Sequence, residues 1–60
     1  MPTRQYIFEF IVIDKDGKTD HGETYINALD MEDAKAQAQA YLDYFYPNHR
    51  GVQRFRVREA

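Results

Sequence analysis

Three segments of the chain have the composition or the two-residue alternation of β-strands. Residues 6 to 13, YIFEFIVI, are rich in β-branched and aromatic side chains and stop at DKDG (14 to 17), where Asp-Gly is a strong hairpin signal. Residues 18 to 26 are more polar, as expected of an edge strand. Residues 52 to 58, VQRFRVR, alternate between charged and apolar side chains from Arg54 onward. The pattern predicts a β-hairpin and, later in the chain, a third strand.

Between the second and third strands the apolar positions recur every three or four residues, which predicts an α-helix. Asp30 is a suitable N-cap, so the helix should begin near Met31, with acidic residues in its first turn. Tyr46-Pro47 should end it, because the residue before proline avoids helical geometry. The residues expected on the buried helix face are Met31, Ala34, Ala38, Tyr41, Leu42 and Phe45.

The predicted order is β-β-α-β, and a right-handed connection through the helix returns the last strand to the side of the first. We therefore predict a single α+β domain over residues 1 to 60, with a three-stranded antiparallel sheet in the order 2-1-3. One helix packs on one face of this sheet. Sixty residues leave no room for a second domain, and we expect a stability of only about 3–5 kcal/mol.

Alternation along the first strand leaves two choices for the face beneath the helix. One set is Tyr6, Phe8, Phe10 and Val12, and the other is Ile7, Glu9, Ile11 and Ile13. Because burying the unpaired carboxylate of Glu9 would cost several kcal/mol, the first set should be buried. By the same argument, Phe55 and Val57 of the third strand should enter the core, and the three arginines should point outward.

The opposite sheet face then combines Ile7, Ile11 and Ile13 with Glu9 and a row of three arginines, Arg54, Arg56 and Arg58. Such a face is more apolar than a lone monomer needs and is typical of a binding or dimer surface. The alternative is that the arginine stems cover the isoleucines while Glu9 pairs with Arg54 or Arg56 across the strands.

The charge of the chain is divided along its length. Residues 1 to 46 hold nine acidic against four basic residues, a net charge of −5, whereas residues 47 to 60 have a net charge of +3. The total of −2 argues against non-specific nucleic-acid binding, but the basic last strand leaves local contact with nucleic acid open.

The sequence lacks the residue patterns that accompany catalysis, metal binding or membrane insertion. There is no cysteine, and His21 and His49 belong to no metal-ligand spacing. No phosphate-binding loop or nucleophile motif occurs, so we expect no enzyme activity, no catalytic residues, no metal and no cofactor. The apolar runs are too short for a membrane span, and the N-terminus lacks the apolar region of a signal peptide. We therefore expect a cytoplasmic protein without a membrane partner.

Residues 23 to 58 resemble the small bacteriophage proteins that bind and inhibit bacterial host RNA polymerase. The resemblance rests on the strand-to-helix passage YINALDMEDA, the proline-containing helix end with a following glycine, and RVR at 56 to 58. It implies that Arg56 and Arg58 contact the polymerase and that an acidic surface with Glu32 and Asp33 takes part. This chain departs from the family in its additional Arg54 and in having no tryptophan on the helix.

We therefore expect a non-enzymatic protein-binding module, and the resemblance implies a phage-encoded inhibitor of a host machine such as RNA polymerase, working in the host cytoplasm. The expected partner-binding residues are Arg54, Arg56, Arg58, Ile7, Glu9, Ile11, Glu32 and Asp33. A homodimer through the open faces is a second expectation. The alternative function is a small nucleic-acid-binding or ribosomal protein with the arginines as a phosphate track, less favoured because the base-stacking aromatics are assigned to the core. Residues 34 to 60 are similar to a small archaeal ribosomal protein, but net acidity argues against that role.

Overall fold

The computed structural model of this protein describes residues 2–60 and has the predicted β-β-α-β order. The elements are β1 (Arg4–Ile13), β2 (Thr19–Ala28), α1 (Met31–Phe45) and β3 (Gly51–Glu59). β1 begins two residues earlier than predicted, β2 begins one residue later and ends two residues later, and β3 is one residue longer at each end. The helix begins at the predicted residue. In the part of the chain that is described, no helix has the length and apolarity that crossing a membrane requires.

The three strands form one antiparallel sheet in the order β2-β1-β3, as predicted. The β1–β2 hairpin turns at Asp14, whose side-chain Oδ1 accepts hydrogen bonds of 2.9 Å from the amides of Asp16 and Lys18. Gly17 follows with φ +85°, a conformation that residues with a Cβ rarely adopt. The turn therefore depends on both Asp14 and Gly17 of the DKDG sequence.

Strand β3 carries one irregularity in its pairing with β1. Arg54 lies opposite Ile11 while Val52 lies opposite Val12, so that Gln53 is an extra residue in β3. An extra residue of this kind bends a strand and increases its twist. The part of β3 that lies after the bulge pairs regularly with β1 and presents the three arginines on one face.

The core lies between the sheet and the helix and contains the β1 residues predicted for it. Tyr6, Phe8, Phe10 and Val12 are buried, together with Ile26 and Ala28 of β2 and Ala34, Ala38 and Leu42 of α1. Alanines on the helix face let the helix approach the sheet closely, while the two phenylalanines fill the space over the central strand. Phe8 and Phe10 contact each other with ring centroids 5.1 Å apart.

Two aromatic residues predicted for the core are instead exposed. Phe55 lies on the helix side of β3 but is 38% exposed, and Phe45 in the last helical turn is 58% exposed. The single helix does not cover the outer half of β3, so an inward-facing position on that strand is buried less than its counterpart on β1. Val57 is partly buried and packs against the core, as predicted.

The start of the helix is fixed by side-chain caps. Asp30 Oδ1 accepts a hydrogen bond from the Asp33 amide at 2.8 Å, and Asp33 Oδ2 accepts one from the Leu29 amide at 3.0 Å. The two carboxylates thus satisfy amides that have no partner within the helix, as in a capping box. Asp30 is the N-cap that the sequence indicated.

The end of the helix is tied to the edge strand β2 by Tyr46. Its amide donates to the Leu42 carbonyl, and its hydroxyl donates to Asp20 Oδ2 at 2.7 Å. The hydrogen bond to Asp20, followed by burial and the negative charge of Asp20, raises the pKa of Tyr46 to about 12. The raised value arises because ionisation of the phenol would break the hydrogen bond and place two negative charges side by side.

Tyr46→Phe should lower the free energy of unfolding at neutral pH by about 1 kcal/mol or less, since the lost hydrogen bond lies near the surface. The pKa of Tyr46 is higher in the folded protein than in the unfolded chain, so the stabilisation is complete below pH 10 and disappears as the pH rises through 10 to 12. Urea unfolding of wild type and variant at pH 7, 9 and 11 measures this difference. Tyr44→Phe is the control, because Tyr44 is exposed and belongs to no hydrogen bond found in residues 2–60. A Tyr46→Phe deficit that stayed constant up to pH 11 would contradict the assignment.

Candidate functional site

The sheet has one face covered by the helix and one face that no element of residues 2–60 covers, which we call the open face. Strand pairing arranges the side chains of the open face in cross-strand rows. The middle row is Glu23, Glu9 and Arg56, and it is flanked by a row of Tyr25, Ile7 and Arg58 and a row of His21, Ile11 and Arg54. The predicted assignment of β1 side chains to the two faces is therefore confirmed.

The isoleucines in the centre of the open face are half-buried rather than fully exposed. Ile7, Ile11 and Ile13 are intermediate in accessibility, although no helix or loop in the described part of the chain covers them. The row neighbours of Ile7 are Tyr25 and Arg58, and those of Ile11 are His21 and Arg54. The stems of these longer side chains shield part of both isoleucines, whereas Ile13 lies between Thr19 and Gly51. The exposed apolar area is thus smaller than the sequence pattern indicated, and it alternates with charged groups.

Glu9 forms an ion pair across the strands, but with a different arginine from those predicted. Its Oε1 accepts from Arg58 Nε at 3.1 Å and lies 3.0 Å from Arg58 Nη2. Arg58 is the diagonal neighbour, whereas the residue directly opposite Glu9 is Arg56. The prediction that Glu9 pairs with Arg54 or Arg56 was wrong, because a diagonal partner on adjacent strands remains within reach of a long side chain. With the Arg58 side chain 45% exposed, the pair contributes at most about 1 kcal/mol.

Arg54 and Arg56 are exposed, and no carboxylate among residues 2–60 lies within 4 Å of either guanidinium. Residues two apart on a strand are separated by about 6.7 Å, so the two groups stand side by side on the same face. Each guanidinium offers five N–H donors in a planar fork that matches a carboxylate or phosphate. Of the predicted arginine row, these two are available to a ligand and Arg58 is already engaged.

The β2 side of the open face carries His21, Glu23 and Tyr25. These three residues were not among the predicted site residues. Tyr25 is 62% exposed and sits in the same row as Ile7 and Arg58. The two-residue alternation of β2, placed in register with β1 by the DKDG turn, was the sequence signal for this grouping. The polar composition of β2, which is typical of an edge strand, obscures this signal.

Glu32 and Asp33, the two acidic residues proposed from the resemblance, lie away from the open face. They belong to the first turn of α1, which packs on the other side of the sheet. Asp33 Oδ2 also accepts a hydrogen bond from Gln37 at 3.2 Å, so this carboxylate serves the helix start. The structure does not bring these two residues together with the arginines.

One shallow cavity of about 260 Å³ lies at the far end of the helix. It is lined by residues of the β1–β2 turn, by the last helical residue Phe45, and by the segment after α1, which includes Tyr46 and His49. His49 Nδ1 is 2.6 Å from the Tyr46 carbonyl oxygen, an interaction that orders the loop. Within residues 2–60, no three histidine or acidic side chains are grouped as metal ligands would be.

Comparison with known proteins yields no family model, no curated protein and no solved structure that matches this chain significantly. The resemblance to phage inhibitors of RNA polymerase therefore stays a prediction.

Proposed function

We propose that this protein is a non-enzymatic binding module that docks the β1–β3 half of its open face on an acidic surface of another protein. The observation that carries the proposal is the unpaired state of Arg54 and Arg56, which stand side by side on a regular strand. Two forks held at strand spacing favour a surface whose carboxylates are similarly spaced.

The apolar part of the proposed surface consists of Ile7 and Ile11, which lie in the rows of Arg58 and Arg54. Both side chains are half-buried in the free protein. A partner that displaced the arginine stems would bury the part of each isoleucine that is still exposed to solvent. In such an interface the arginines supply orientation and charge complementarity, and the isoleucines supply burial. The Glu9–Arg58 ion pair would fix the positions of these two side chains at the centre of the surface.

The proposed mechanism is occlusion, in which the open face covers part of the partner's surface. The resemblance of residues 23 to 58 to phage inhibitors suggests bacterial RNA polymerase as the partner to test first. The acidic residues Glu32 and Asp33 would then face away from the contact made by the arginines.

Nucleic-acid binding is the competing function for the same arginines. Tyr25 is the one aromatic side chain that the described strands place on the open face, whereas Phe8 and Phe10 are buried. Sheet surfaces that bind single strands stack several bases on aromatic rings and avoid acidic neighbours. A continuous phosphate backbone that crossed the open face would meet Glu9 and Glu23 of the middle row. A protein surface can instead place its carboxylates against the β3 side alone.

The test compares wild type with an Arg54→Ala/Arg56→Ala variant in binding to purified bacterial RNA polymerase and in pull-downs from nuclease-treated bacterial lysate. Arg4→Ala/Arg50→Ala is the matched control, because it removes the same charge from positions outside the open face. We expect the first variant to weaken binding tenfold or more, since each hydrogen bond to a charged group contributes about 1.5–3 kcal/mol.

Equal binding by both variants, or a capture that nuclease treatment abolishes, would overturn the proposed function. Arginine-dependent capture of a different protein, with no binding to the polymerase, would overturn only the identity of the partner.

A further inference from the structure

The open face carries opposite charges on its two sides. Its β3 side presents Arg54, Arg56 and Arg58, while its β2 side presents Glu23 with His21 and Tyr25. A surface divided in this way is complementary to itself, because a twofold axis brings each side of one molecule against the other side of a second. We propose that the free protein forms a weak homodimer by stacking two open faces, and that this dimer covers the arginines until a partner displaces the second copy.

The charges select one of the two simple ways to stack the sheets. A twofold axis perpendicular to the strands would place β3 over β3 of the second copy, with arginine against arginine. A twofold axis parallel to the strands places β3 over β2 of the second copy and keeps the rows at the same level. Only the second arrangement pairs unlike charges, so the geometry points to it.

In this arrangement the middle rows supply the decisive contact. Arg56 of each copy lies opposite Glu23 of the other, and the contact occurs twice. Stacked sheets lie about 10 Å apart, a gap that an arginine and a glutamate extended from opposite sides can bridge. The two sheets cross at roughly 30°, and the middle row is the one that this rotation displaces least.

The flanking rows are compatible with the same arrangement. Arg58 meets Tyr25 of the second copy, where a guanidinium can stack on an exposed aromatic ring. Ile7 and Ile11 meet their own counterparts near the axis and provide apolar burial. The two Glu9 carboxylates also approach each other there, but each is held by its own Arg58 at 3.0 Å, which offsets the repulsion.

Pairing of two β3 edges into a continuous six-stranded sheet is the other way to cover an edge strand, and the charges oppose it. Antiparallel pairing of β3 with itself would set the arginine row of one copy beside the arginine row of the other. Like charges directly opposite on neighbouring strands are destabilising. The second copy is therefore expected on the open face and not at the β3 edge.

The interface would be small, because only three short rows of side chains take part. Interfaces below about 1,200 Å² belong to weak, transient complexes, so we expect a dissociation constant on the order of 0.1 mM. The self-association does not depend on the proposed function. Its regulatory consequence does rest on that function, since the dimer and the partner would compete for Arg54 and Arg56.

Sedimentation of three proteins and one mixture tests the arrangement. Wild type should dimerise as its concentration rises to about 1 mM. Arg56→Glu places glutamate against Glu23, and Glu23→Arg places arginine against Arg56, so each variant alone should dimerise at least tenfold more weakly. An equal mixture of the two variants should associate again, because both middle-row contacts then join unlike charges.

Circular dichroism checks whether both variants keep the fold, which we expect because both positions are exposed. Recovery of association in the mixture supports the stacked dimer, whether or not any partner protein is found. Wild type that stays monomeric to about 1 mM, or a mixture that associates no better than the single variants, overturns it. Loss of partner binding in Arg56→Glu without any self-association of wild type would leave the proposed function standing and remove this inference alone.

Discussion

Phe8→Ala should unfold most of the protein at 25 °C. Phe8 is fully buried on the central strand, and its ring centroid lies 5.1 Å from that of Phe10, 6.0 Å from Tyr41 and 5.0 Å from Phe55. Truncating a buried phenylalanine costs about 3–5 kcal/mol, which equals the whole stability of about 3–5 kcal/mol expected of a domain this small. Far-ultraviolet circular dichroism and urea titration measure the loss.

The matched control is Phe45→Ala, which removes the same atoms from a side chain that is mostly exposed. We expect it to change the free energy of unfolding by less than about 1 kcal/mol. If Phe8→Ala kept a cooperative transition near that of Phe45→Ala, the core described for this fold would be wrong.

Gly22→Ala is expected to have the second-largest effect, a loss of about 1–3 kcal/mol from overpacking. The ring of Phe10 lies across the Gly22 backbone on the neighbouring strand. An added Cβ would lie 2.6 Å and 2.8 Å from the Cε1 and Cε2 atoms of Phe10, and closer still to Cζ. Phe10 is itself almost completely buried, so its ring cannot move aside without disturbing the core.

Two comparisons isolate this cause from the general effect of glycine substitution in a strand. Gly51→Ala, where an added Cβ meets nothing within 4 Å, should be nearly neutral. In a Phe10→Leu background the cost of Gly22→Ala should shrink, because contacting residues are not additive. Equal melting temperatures for Gly22→Ala and wild type would show that the ring does not occupy that space.

The two proposals share the open face but differ in the residues that they require. Partner binding needs Arg54 and Arg56, whereas self-association needs Arg56 together with Glu23 on the opposite edge. Glu23→Arg is therefore the informative variant, because it should weaken the dimer while leaving both arginines free for a partner. A partner that bound this variant more tightly than wild type at high protein concentration would be consistent with competition between the two.

Local patterns in the sequence determined the elements and the buried face of β1. The Asp-Gly turn, the change of period after residue 30 and Pro47 each act over a few residues, so they could be interpreted without the fold. The charge of Glu9 decided which face is buried, because an unpaired carboxylate under the helix is costly wherever the other strands lie. The strand order followed from these elements and from the handedness of the connection.

The tertiary structure alone decided which of the outward and inward positions are covered. Phe55 fits the apolar pattern but is exposed, because one helix does not cover the outer half of β3, and Phe45 in the last helical turn is exposed as well. The choice of Arg58 as the partner of Glu9, and the grouping of Glu23 and Tyr25 with the arginines, depend on strand register and on the bulge at Gln53. A sequence pattern specifies which face a side chain takes, but contacts between strands depend on how the chain is brought together.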